Sequence, residues 1–160
     1  MNVAFSPARL AASMLACFAA AAAGSLFTYP SIGTWYAGLA KPAFTPPNWA
    51  FGPVWTALYI LMAFSLYIVW NKHKGRPASR KPFAAFGMQL ALNALWSVVF
   101  FGLRSPALGI AFIAALWLSI LACIWLFWRI DKRASALLIP YLAWVSIASY
   151  LNFGVWVLNP

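Results

Sequence analysis

Five apolar runs, each long enough to cross a lipid bilayer, dominate this chain of 160 residues. They cover roughly residues 10–27, 50–70, 82–103, 106–128 and 134–158. A membrane-spanning helix needs about 20 apolar residues, and a helix satisfies all of its backbone groups within one segment. The sequence therefore predicts an all-α integral membrane protein, with a bundle of five transmembrane helices that forms one domain over residues 1–160. The first loop is expected at about 28–49.

The first run allows a second interpretation. The segment ARLAASMLACFAAAAAGS combines Arg9 with an apolar stretch and small residues, which is also the pattern of a cleavable signal peptide. We count this run as a retained first helix, and a cleaved leader stands as the alternative. The short connections between the runs leave no room for a separate soluble domain.

Charge is distributed unevenly along the chain. There are 11 Lys and Arg residues against the single acidic residue Asp131, and hydrophobic residues make up 65%. Nucleic-acid-binding domains carry positive charge on polar surfaces, whereas here it lies between apolar runs, which argues against a nucleic-acid partner. If the N-terminus is cytoplasmic, that side holds Arg9, Lys72, Lys74, Arg76, Arg80, Lys81, Arg129, Lys132 and Arg133, and the other side holds Lys41 and Arg104. The positive-inside rule therefore predicts a cytoplasmic N-terminus and an external C-terminus.

Residues that could carry catalysis or bind a metal are scarce. Asp131 lies in the basic connection RIDKR and His73 in the loop NKHKGR, so the apolar runs contain neither a carboxylate pair nor a catalytic triad. Cys17 and Cys123 lie in different runs without a CxxC motif, and we predict that both pack as small apolar side chains. The sequence thus predicts no catalytic residue, no metal site and no obligatory cofactor.

The third run carries a face of small residues. At 100° per residue from Ala84, Gly87 lies near −60° and Ala91 near −20°. Small residues four positions apart allow close contact between helices in a membrane. This face therefore predicts either a homodimer contact or close packing within the monomer.

The opposite face of the third run is polar and aromatic. Gln89, Asn93, Trp96 and Phe100 lie between about 120° and 180° on the same wheel. Related stripes consist of Trp55, Tyr59 and Met62 in the second run, and of Tyr141, Trp144, Ala148 and Asn152 in the fifth. Such stripes are typical of a packed core, but rings combined with hydrogen-bonding atoms are also typical of pockets for flat ligands. Pro140 could bend the fifth helix and widen such a pocket.

The segment between the first two runs is rich in proline and aromatic residues. Pro42, Pro46, Pro47 and Pro53 restrict the backbone, while Trp35, Trp49 and Trp55 suit a membrane interface. A stiff aromatic loop above an aromatic bundle predicts a lid over a pocket. The alternative is an interfacial anchor without a role in ligand binding.

Three segments, WYAGLAKPAFTPPNWAFGPVWTALYILM, QLALNALWSVVFFG and LIPYLAWVSIASYLN, resemble the tryptophan-rich sensory protein family, which includes the mitochondrial translocator protein, or peripheral benzodiazepine receptor. The match covers nearly the whole chain in the right order. The resemblance implies a five-helix bundle that often dimerises and binds porphyrins, haem, sterols and synthetic benzodiazepine-type drugs under the first loop. By motif, the ligand-binding residues would be Tyr36, Trp55, Tyr59, Asn93, Trp96, Trp144, Ala148 and Leu151.

Two positions depart from the family pattern. Phe44 stands where the motif KPxW usually has tryptophan, so one indole N–H is lost. The final segment LNFGVWVLNP has Phe153 and no arginine, whereas the cholesterol-associated stretch of animal members ends in tyrosine and arginine. These departures argue against cholesterol as the native ligand and favour a bacterial cell-membrane protein, while eukaryotic relatives lie in the mitochondrial outer membrane.

Three functions remain open from the sequence. The first is a membrane receptor with a sensory or regulatory role that binds tetrapyrroles such as protoporphyrin IX or haem. Their rings would stack on tryptophans, and their propionates would meet Tyr36, Asn93 or Lys41. The second is a transporter of porphyrins or sterols, which would lack an intramembrane charge for proton coupling. The third is an enzyme that degrades porphyrin with light and oxygen, although no set of residues requires it.

Overall fold

The computed structural model describes residues 5–72 and 80–160, and helices make up most of both ranges. Helix α1 spans Pro7–Ile32, α2 Asn48–Lys72, α3 Lys81–Ser97, α4 Pro106–Trp128, α5 Lys132–Ala136 and α6 Ile139–Leu158. A π-helical turn, Val98–Gly102, extends α3. With α5 and α6 counted together, five segments are long and apolar enough to cross a membrane. The prediction of an all-α bundle with five spans is confirmed.

The helix ends differ from those expected. Because α1 continues to Ile32 and α2 begins at Asn48, the first loop covers residues 33–47 rather than 28–49. Trp49 and Pro53 consequently lie inside α2, not in the loop. His73, Lys74 and Arg76 lie outside the described residues.

Proline marks the beginning of several helices. Pro7, Pro82, Pro106 and Pro140 occupy the first turns of α1, α3, α4 and α6. Proline is tolerated there because the first backbone N–H groups of a helix have no intrahelical acceptor. At Pro140 the fifth span is interrupted between Ala136 and Ile139 rather than gently bent.

The helices alternate in direction, so their ends form two groups. At one end, Arg9 Nη1 donates a hydrogen bond to the carbonyl of Trp70 over 3.1 Å, and Lys72 forms an ion pair with Asp131. These contacts join the start of α1, the end of α2 and the α4–α5 connection. The first loop and the end of α6 lie together at the other end, where Asn159 bonds Ala40.

Small and polar side chains, rather than large apolar ones, define the inward face of α1. Its buried residues are Ser13, Cys17, Gly24 and Ser31, while Leu15 is exposed. This reverses the pattern of a soluble protein, because lipid accepts large apolar groups and close helix contact favours small ones. Overall, α1 packs on α2 and α3, while α4 packs on α3 and α6.

Candidate ligand-binding site

A cavity of about 480 Å³ lies within the half of the bundle next to the first loop. Its walls come from α1, α2, α3, the π-helical turn and α6, together with one residue of the loop. All eight residues that the sequence singled out for ligand binding line it: Tyr36, Trp55, Tyr59, Asn93, Trp96, Trp144, Ala148 and Leu151. The structure therefore brings together side chains that are separated by more than 100 positions in the chain.

Aromatic rings form the walls between α2 and α6. The Trp55 ring lies 5.8 Å from Tyr59 and 6.2 Å from Tyr141, measured between ring centroids. Phe51 meets Trp144 edge to face at 5.8 Å. Rings in contact at these distances stabilise one another and hold a flat apolar surface in place.

The π-helical turn supplies the aromatic wall on the α3 side. Its wider hydrogen bond joins the N–H of Leu103 to the carbonyl of Val98 at 2.8 Å. The wider turn accompanies the burial of two successive side chains, since Phe100 is 3% exposed and Phe101 is 8% exposed. The Ser31 hydroxyl of α1 donates to the carbonyl of Phe101 over 3.2 Å, which ties α1 to this turn.

A hydrogen-bonded chain of three side chains crosses the cavity wall. The Tyr59 hydroxyl donates to Asn93 Oδ1 at 2.5 Å, and Asn93 Nδ2 donates to the Tyr141 hydroxyl at 2.8 Å. Asn93 is 3% exposed and Tyr141 is fully buried. Because both ends of the Asn93 amide are engaged, this chain orients two helices around α3 rather than offering Asn93 freely to a ligand.

A second polar pair lies nearer the π-helical turn. Trp96 Nε1 donates to Asn152 Oδ1 at 2.9 Å, and Asn152 Nδ2 donates to the carbonyl of Pro106 at 2.7 Å. Gly109 allows this approach, since a Cβ built there would lie 2.6 Å from Asn152 Oδ1. Asn152 lay in the predicted stripe of the fifth run but was not assigned to the ligand site.

The Trp144 indole is the exception in this polar arrangement. Its Nε1 is buried and has no hydrogen-bond partner among residues 5–72 and 80–160, although the residue lines the cavity. A buried N–H without an acceptor lowers stability by about 1–3 kcal/mol. Trp144 thus places part of its ring in the cavity lining, while its N–H lies buried within the wall.

The first loop packs against the cavity from the end of the bundle. Tyr36 lies in a 3₁₀ turn, Tyr36–Gly38, and contacts Phe100 and Phe101 at ring distances of 6.3 Å and 5.7 Å. Burial raises the pKa of the Tyr36 hydroxyl, so it stays protonated and can donate a hydrogen bond. Lys41 lies 4.8 Å from the centre of the Tyr36 ring, on the rim rather than in the lining.

The loop is also fastened to the end of α6. Asn159 accepts a hydrogen bond from the N–H of Ala40 and donates one to the carbonyl of Ala40, each over 3.0 Å. Gly154 faces Pro42 so closely that a Cβ there would lie 2.7 Å from the proline ring. Neither Asn159 nor Gly154 was singled out by the sequence, because both contacts join positions far apart in the chain.

Several lining residues were missed in α1 and in the first turns of α2. Those from α1 include Phe18, Ala21, Ala22, Gly24, Ser25, Thr28, Tyr29 and Ile32, and those from α2 include Asn48, Phe51, Gly52 and Thr56. Most are small or lack a motif, so only the three-dimensional arrangement identifies them. The small side chains of the alanine-rich first run leave the space that the rings surround.

Other predicted residues lie away from the cavity. Ala84, Gly87 and Ala91 form an exposed face of α3. Gln89 shares the wheel face of Asn93 but does not line the cavity, and both polar atoms of its buried amide lack hydrogen-bond partners. Pro140 is exposed and does not itself line the cavity, so its effect on the cavity width stays a prediction.

The remaining predicted residues are placed as follows. Met62, Cys17 and Cys123 are fully buried, and both cysteines are free thiols. Phe44 and Trp49 are 84% and 77% exposed. These two rings therefore face the surroundings of the protein rather than the cavity.

Comparison with known proteins gives an independent view of the chain. The model of the TspO/MBR family matches residues 13–157. The tryptophan-rich protein TspO of Archaeoglobus fulgidus is 48% identical over 94% of this chain and 97% of its own length. The tryptophan-rich sensory protein of Cereibacter sphaeroides is 37% identical over 91% and 88%, and the translocator protein of Homo sapiens is 38% identical over 91% and 84%.

Proposed function

Since this chain belongs to the TspO/MBR family of membrane proteins, we propose that it is a receptor for tetrapyrroles such as protoporphyrin IX and haem, with a sensory role. The names of two relatives, a sensory protein and a translocator protein, support a role in signalling or ligand handling. The cavity volume of about 480 Å³ falls in the range of small-molecule sites. Sterols and benzodiazepine-type compounds would compete for the same space.

The observation that carries this proposal is the aromatic cavity itself, whose lining includes Trp55, Trp96 and Trp144. A flat ring would lie against Trp55 and Trp144. A shift of the Trp144 side chain on binding would let its buried N–H donate to an acceptor on the ligand edge, such as a propionate. Tyr36 provides a second donor at the rim. Asn93 contributes by orienting Tyr59 and Tyr141 rather than by meeting the propionate directly.

One titration tests the proposal. The purified protein in lipid nanodiscs is titrated with protoporphyrin IX, haem and cholesterol, and binding is followed by tryptophan fluorescence. We expect saturable binding of both tetrapyrroles and weaker binding of cholesterol. A protein that binds neither tetrapyrrole saturably would contradict the proposal.

Two further assays separate the receptor from the other functions. Flux of protoporphyrin IX across sealed vesicles, compared with vesicles lacking the protein, would reveal transport. Loss of the porphyrin with formation of a product, compared in light and in darkness, would reveal degradation. A receptor that only binds protoporphyrin IX should neither increase its flux across the vesicle membrane nor convert it to a product.

We propose that the small face of α3 forms a homodimer contact. Ala84, Gly87 and Ala91 are exposed, and a Cβ added at Gly87 meets no atom within 4 Å. Gly87→Leu therefore leaves the monomer intact but blocks close approach of a second α3. We expect a shift from dimer to monomer by light scattering in detergent, and an unchanged dimer would place the contact elsewhere.

We propose a bacterial cell-membrane location with a cytoplasmic N-terminus. Arg9, Lys72 and Lys81 lie at helix ends on the proposed cytoplasmic side, while Lys41 lies in the first loop on the other. A reporter fused after Pro160 should lie outside the cytoplasm. A reporter found in the cytoplasm would contradict this orientation.

A further inference from the structure

Among the described residues, every exposed residue of the cavity lining belongs to α1 or α2. Ser25 and Tyr29 of α1, and Gly52 and Thr56 of α2, line the cavity and are exposed. In contrast, Asn152 on the α6 side is 1% exposed. A residue that belongs to both surfaces marks the place where the cavity reaches the exterior, and we refer to these four residues as the α1–α2 opening.

The opening follows from the way α1 leans against its neighbours. Near its start, α1 packs on α2, as the hydrogen bond from Ser6 N to the Tyr67 hydroxyl shows. Near its end, α1 packs on α3, where Gly24 lies against Ser97 so closely that a Cβ would be 3.1 Å from Ser97 Oγ. The helix thus changes partner along its length and moves away from the beginning of α2.

The beginning of α2 leans in the other direction. Phe51 contacts Trp144, and Trp55 contacts Tyr141, so this part of α2 packs toward α6. The end of α1 is thus held by α3 and the beginning of α2 by α6, and the exposed lining residues lie on these parts of the two helices. The cavity is therefore expected to reach the side of the bundle between them.

Two hydroxyl groups at this opening, those of Ser25 and Thr56, form hydrogen bonds within their own helices. Ser25 Oγ donates to the carbonyl of Ala21 at 2.7 Å, and Thr56 Oγ1 donates to the carbonyl of Gly52 at 2.9 Å. Hydroxyl groups that bond to a carbonyl one turn earlier in the same helix are satisfied without solvent. The edges of the opening can therefore face hydrocarbon chains.

The end of the cavity beneath the first loop is fastened. Asn159 forms two hydrogen bonds with Ala40, and Pro42 rests on Gly154, as described above. Lys41 adds hydrogen bonds from its Nζ to the carbonyls of Ala37 and Leu39, which stiffen the same segment. An exit under the loop would break several of these contacts, whereas an exit between α1 and α2 would break none of them.

We propose that ligands enter and leave the cavity sideways from the lipid, through the α1–α2 opening, while the first loop stays closed. This inference rests on the proposed receptor function and narrows the ligand class to amphiphiles that dissolve in the leaflet on the first-loop side. Such a ligand inserts its apolar ring first and keeps its polar edge near the membrane surface. Tetrapyrroles with charged groups around the entire ring would have to carry a charge through the lipid on this route, so we expect them to be excluded.

A matched pair of glycine variants tests the route. A Cβ at Gly52, in the opening, or at Gly38, in the loop, meets no atom within 4 Å, so leucine fits at either position. Stopped-flow fluorescence measures protoporphyrin IX binding and release in nanodiscs. We expect Gly52→Leu to slow both association and dissociation by about tenfold, because the leucine side chain narrows the opening. Gly38→Leu should leave both rate constants within about twofold of the wild-type values. Unchanged rates in Gly52→Leu would overturn the route.

A loop variant provides the opposite test. Asn159→Ala removes both bonds to Ala40 and should raise the opening of the loop about tenfold. If the loop is not the route, the dissociation rate of protoporphyrin IX stays within about twofold of the wild-type value. A dissociation rate that rises in proportion to loop opening would overturn the inference and assign exit to the loop.

A third measurement uses a tetrasulfonated porphyrin of the same ring size, whose charges keep it out of lipid. We expect no saturable binding of this compound at concentrations that saturate with protoporphyrin IX. Binding of both with similar association rates would also overturn the lateral route. If protoporphyrin IX does not bind the wild-type protein, the receptor function itself is contradicted. The results above, in contrast, test only the route by which the ligand enters and leaves.

Discussion

The two halves of the bundle use polar side chains in different ways. In the half that contains α5, serine hydroxyls bond to backbone carbonyls of other helices. Ser65 Oγ donates to Ala134 O at 2.7 Å, and Ser135 Oγ donates to Ile124 O at 2.9 Å. These short bonds bring helix backbones close together.

In the half that contains the cavity, hydrogen bonds between two side chains join different helices. Tyr59, Asn93 and Tyr141 form one such chain. Long side chains keep the helices apart, and the rings around them line the resulting volume. From this comparison we expect substitutions in the α5 half to act mainly on stability, and substitutions in the cavity half to act mainly on the proposed ligand binding, although both halves are built on the same helices.

The largest expected effect is on stability, from a change in the α5 half. Phe127 is fully buried and stacks on Phe86 at a ring distance of 5.8 Å. Phe127→Ala should lower the free energy of unfolding by about 3–5 kcal/mol, because the lost ring leaves a void in a packed region. Denaturation in detergent measures the change.

The matched control is Leu118→Ala, since Leu118 is 62% exposed on α4. The free energy of unfolding of Leu118→Ala should change by less than about 0.5 kcal/mol.

The Phe127→Ala variant should bind protoporphyrin IX with wild-type affinity, measured at a temperature where the variant remains folded. A large loss of affinity would mean that the two halves are not separable.

A change at the boundary should affect both halves. Asn93→Leu leaves the buried hydroxyls of Tyr59 and Tyr141 without their amide partner and should cost about 1–3 kcal/mol of stability. It should also weaken binding, because the orientation of both rings is lost. Thermal unfolding and protoporphyrin IX titration measure the two effects.

The matched control removes the whole chain of hydrogen bonds. Adding Tyr59→Phe and Tyr141→Phe to Asn93→Leu eliminates the stranded hydroxyls, so stability should recover while affinity stays low. If stability does not recover, the damage caused by Asn93→Leu is steric rather than polar.

Substitutions in the cavity half should lower the affinity for protoporphyrin IX while leaving the free energy of unfolding almost unchanged. Trp55→Leu and Trp144→Leu each remove a ring from the wall and should weaken protoporphyrin IX binding by roughly three- to thirtyfold, from lost stacking and hydrogen bonding. Trp144→Phe keeps a ring but removes the N–H, so its loss should fall between those of the wild type and Trp144→Leu. Fluorescence or absorbance titration in nanodiscs measures all of these variants.

The control for the tryptophan series is Trp125→Leu. Trp125 is 55% exposed, lies outside the cavity lining, and has the Arg129 guanidinium 3.6 Å from its ring centre. Its change should leave affinity within about twofold. An equal loss in this variant would point to general loosening of the bundle and would sink the cavity assignment.

The smallest expected effect is at the surface of the α5 half. Burial raises the pKa of Asp131, but hydrogen bonds from Lys72 and from the N–H groups of Arg133 and Ala134 outweigh it, so the pKa lies below its usual value. Stability from this pairing is therefore present above the unfolded-state pKa and lost as pH falls through the folded-state pKa.

Asp131→Asn tests this pH dependence. Asparagine keeps the helix cap, so at neutral pH only the contribution of the charge is lost, at most about 1 kcal/mol because Lys72 is nearly half exposed. Thermal unfolding should show a difference from the wild type at pH 7 that vanishes in acid. A difference that persists below the folded-state pKa would assign the effect to shape rather than charge.

Much of the fold could be predicted because hydropathy reports directly on membrane spans. The five runs and the proline positions locate the helices to within a few residues at most ends. The π-helical turn at Val98–Gly102 was not predicted, because VVFFG has no local signal that separates it from an α-helix. The break before Ile139 was only partly predicted, as a bend at Pro140.

The cavity was predicted less evenly. Its aromatic and polar side, including Trp55, Asn93 and Trp144, stood out because rings and amides are conspicuous on an apolar helix. Its α1 side did not, because alanine, glycine and serine appear the same whether they face lipid, a neighbouring helix or a cavity. The role of Asn159 could not be predicted either, since its partner Ala40 is 119 positions away.

The sequence by itself determined that this protein is a helical membrane protein with five spans, because the bilayer imposes length and apolarity on every segment that crosses it. It also determined which rings and amides are available for a ligand. The tertiary structure alone decided where α1 leaves α2 to pack on α3, and therefore where the cavity opens. That choice depends on the close contact of Gly24 with Ser97 and of Phe51 with Trp144, which are interactions between distant segments. Periodicity within a single helix carries no information about them.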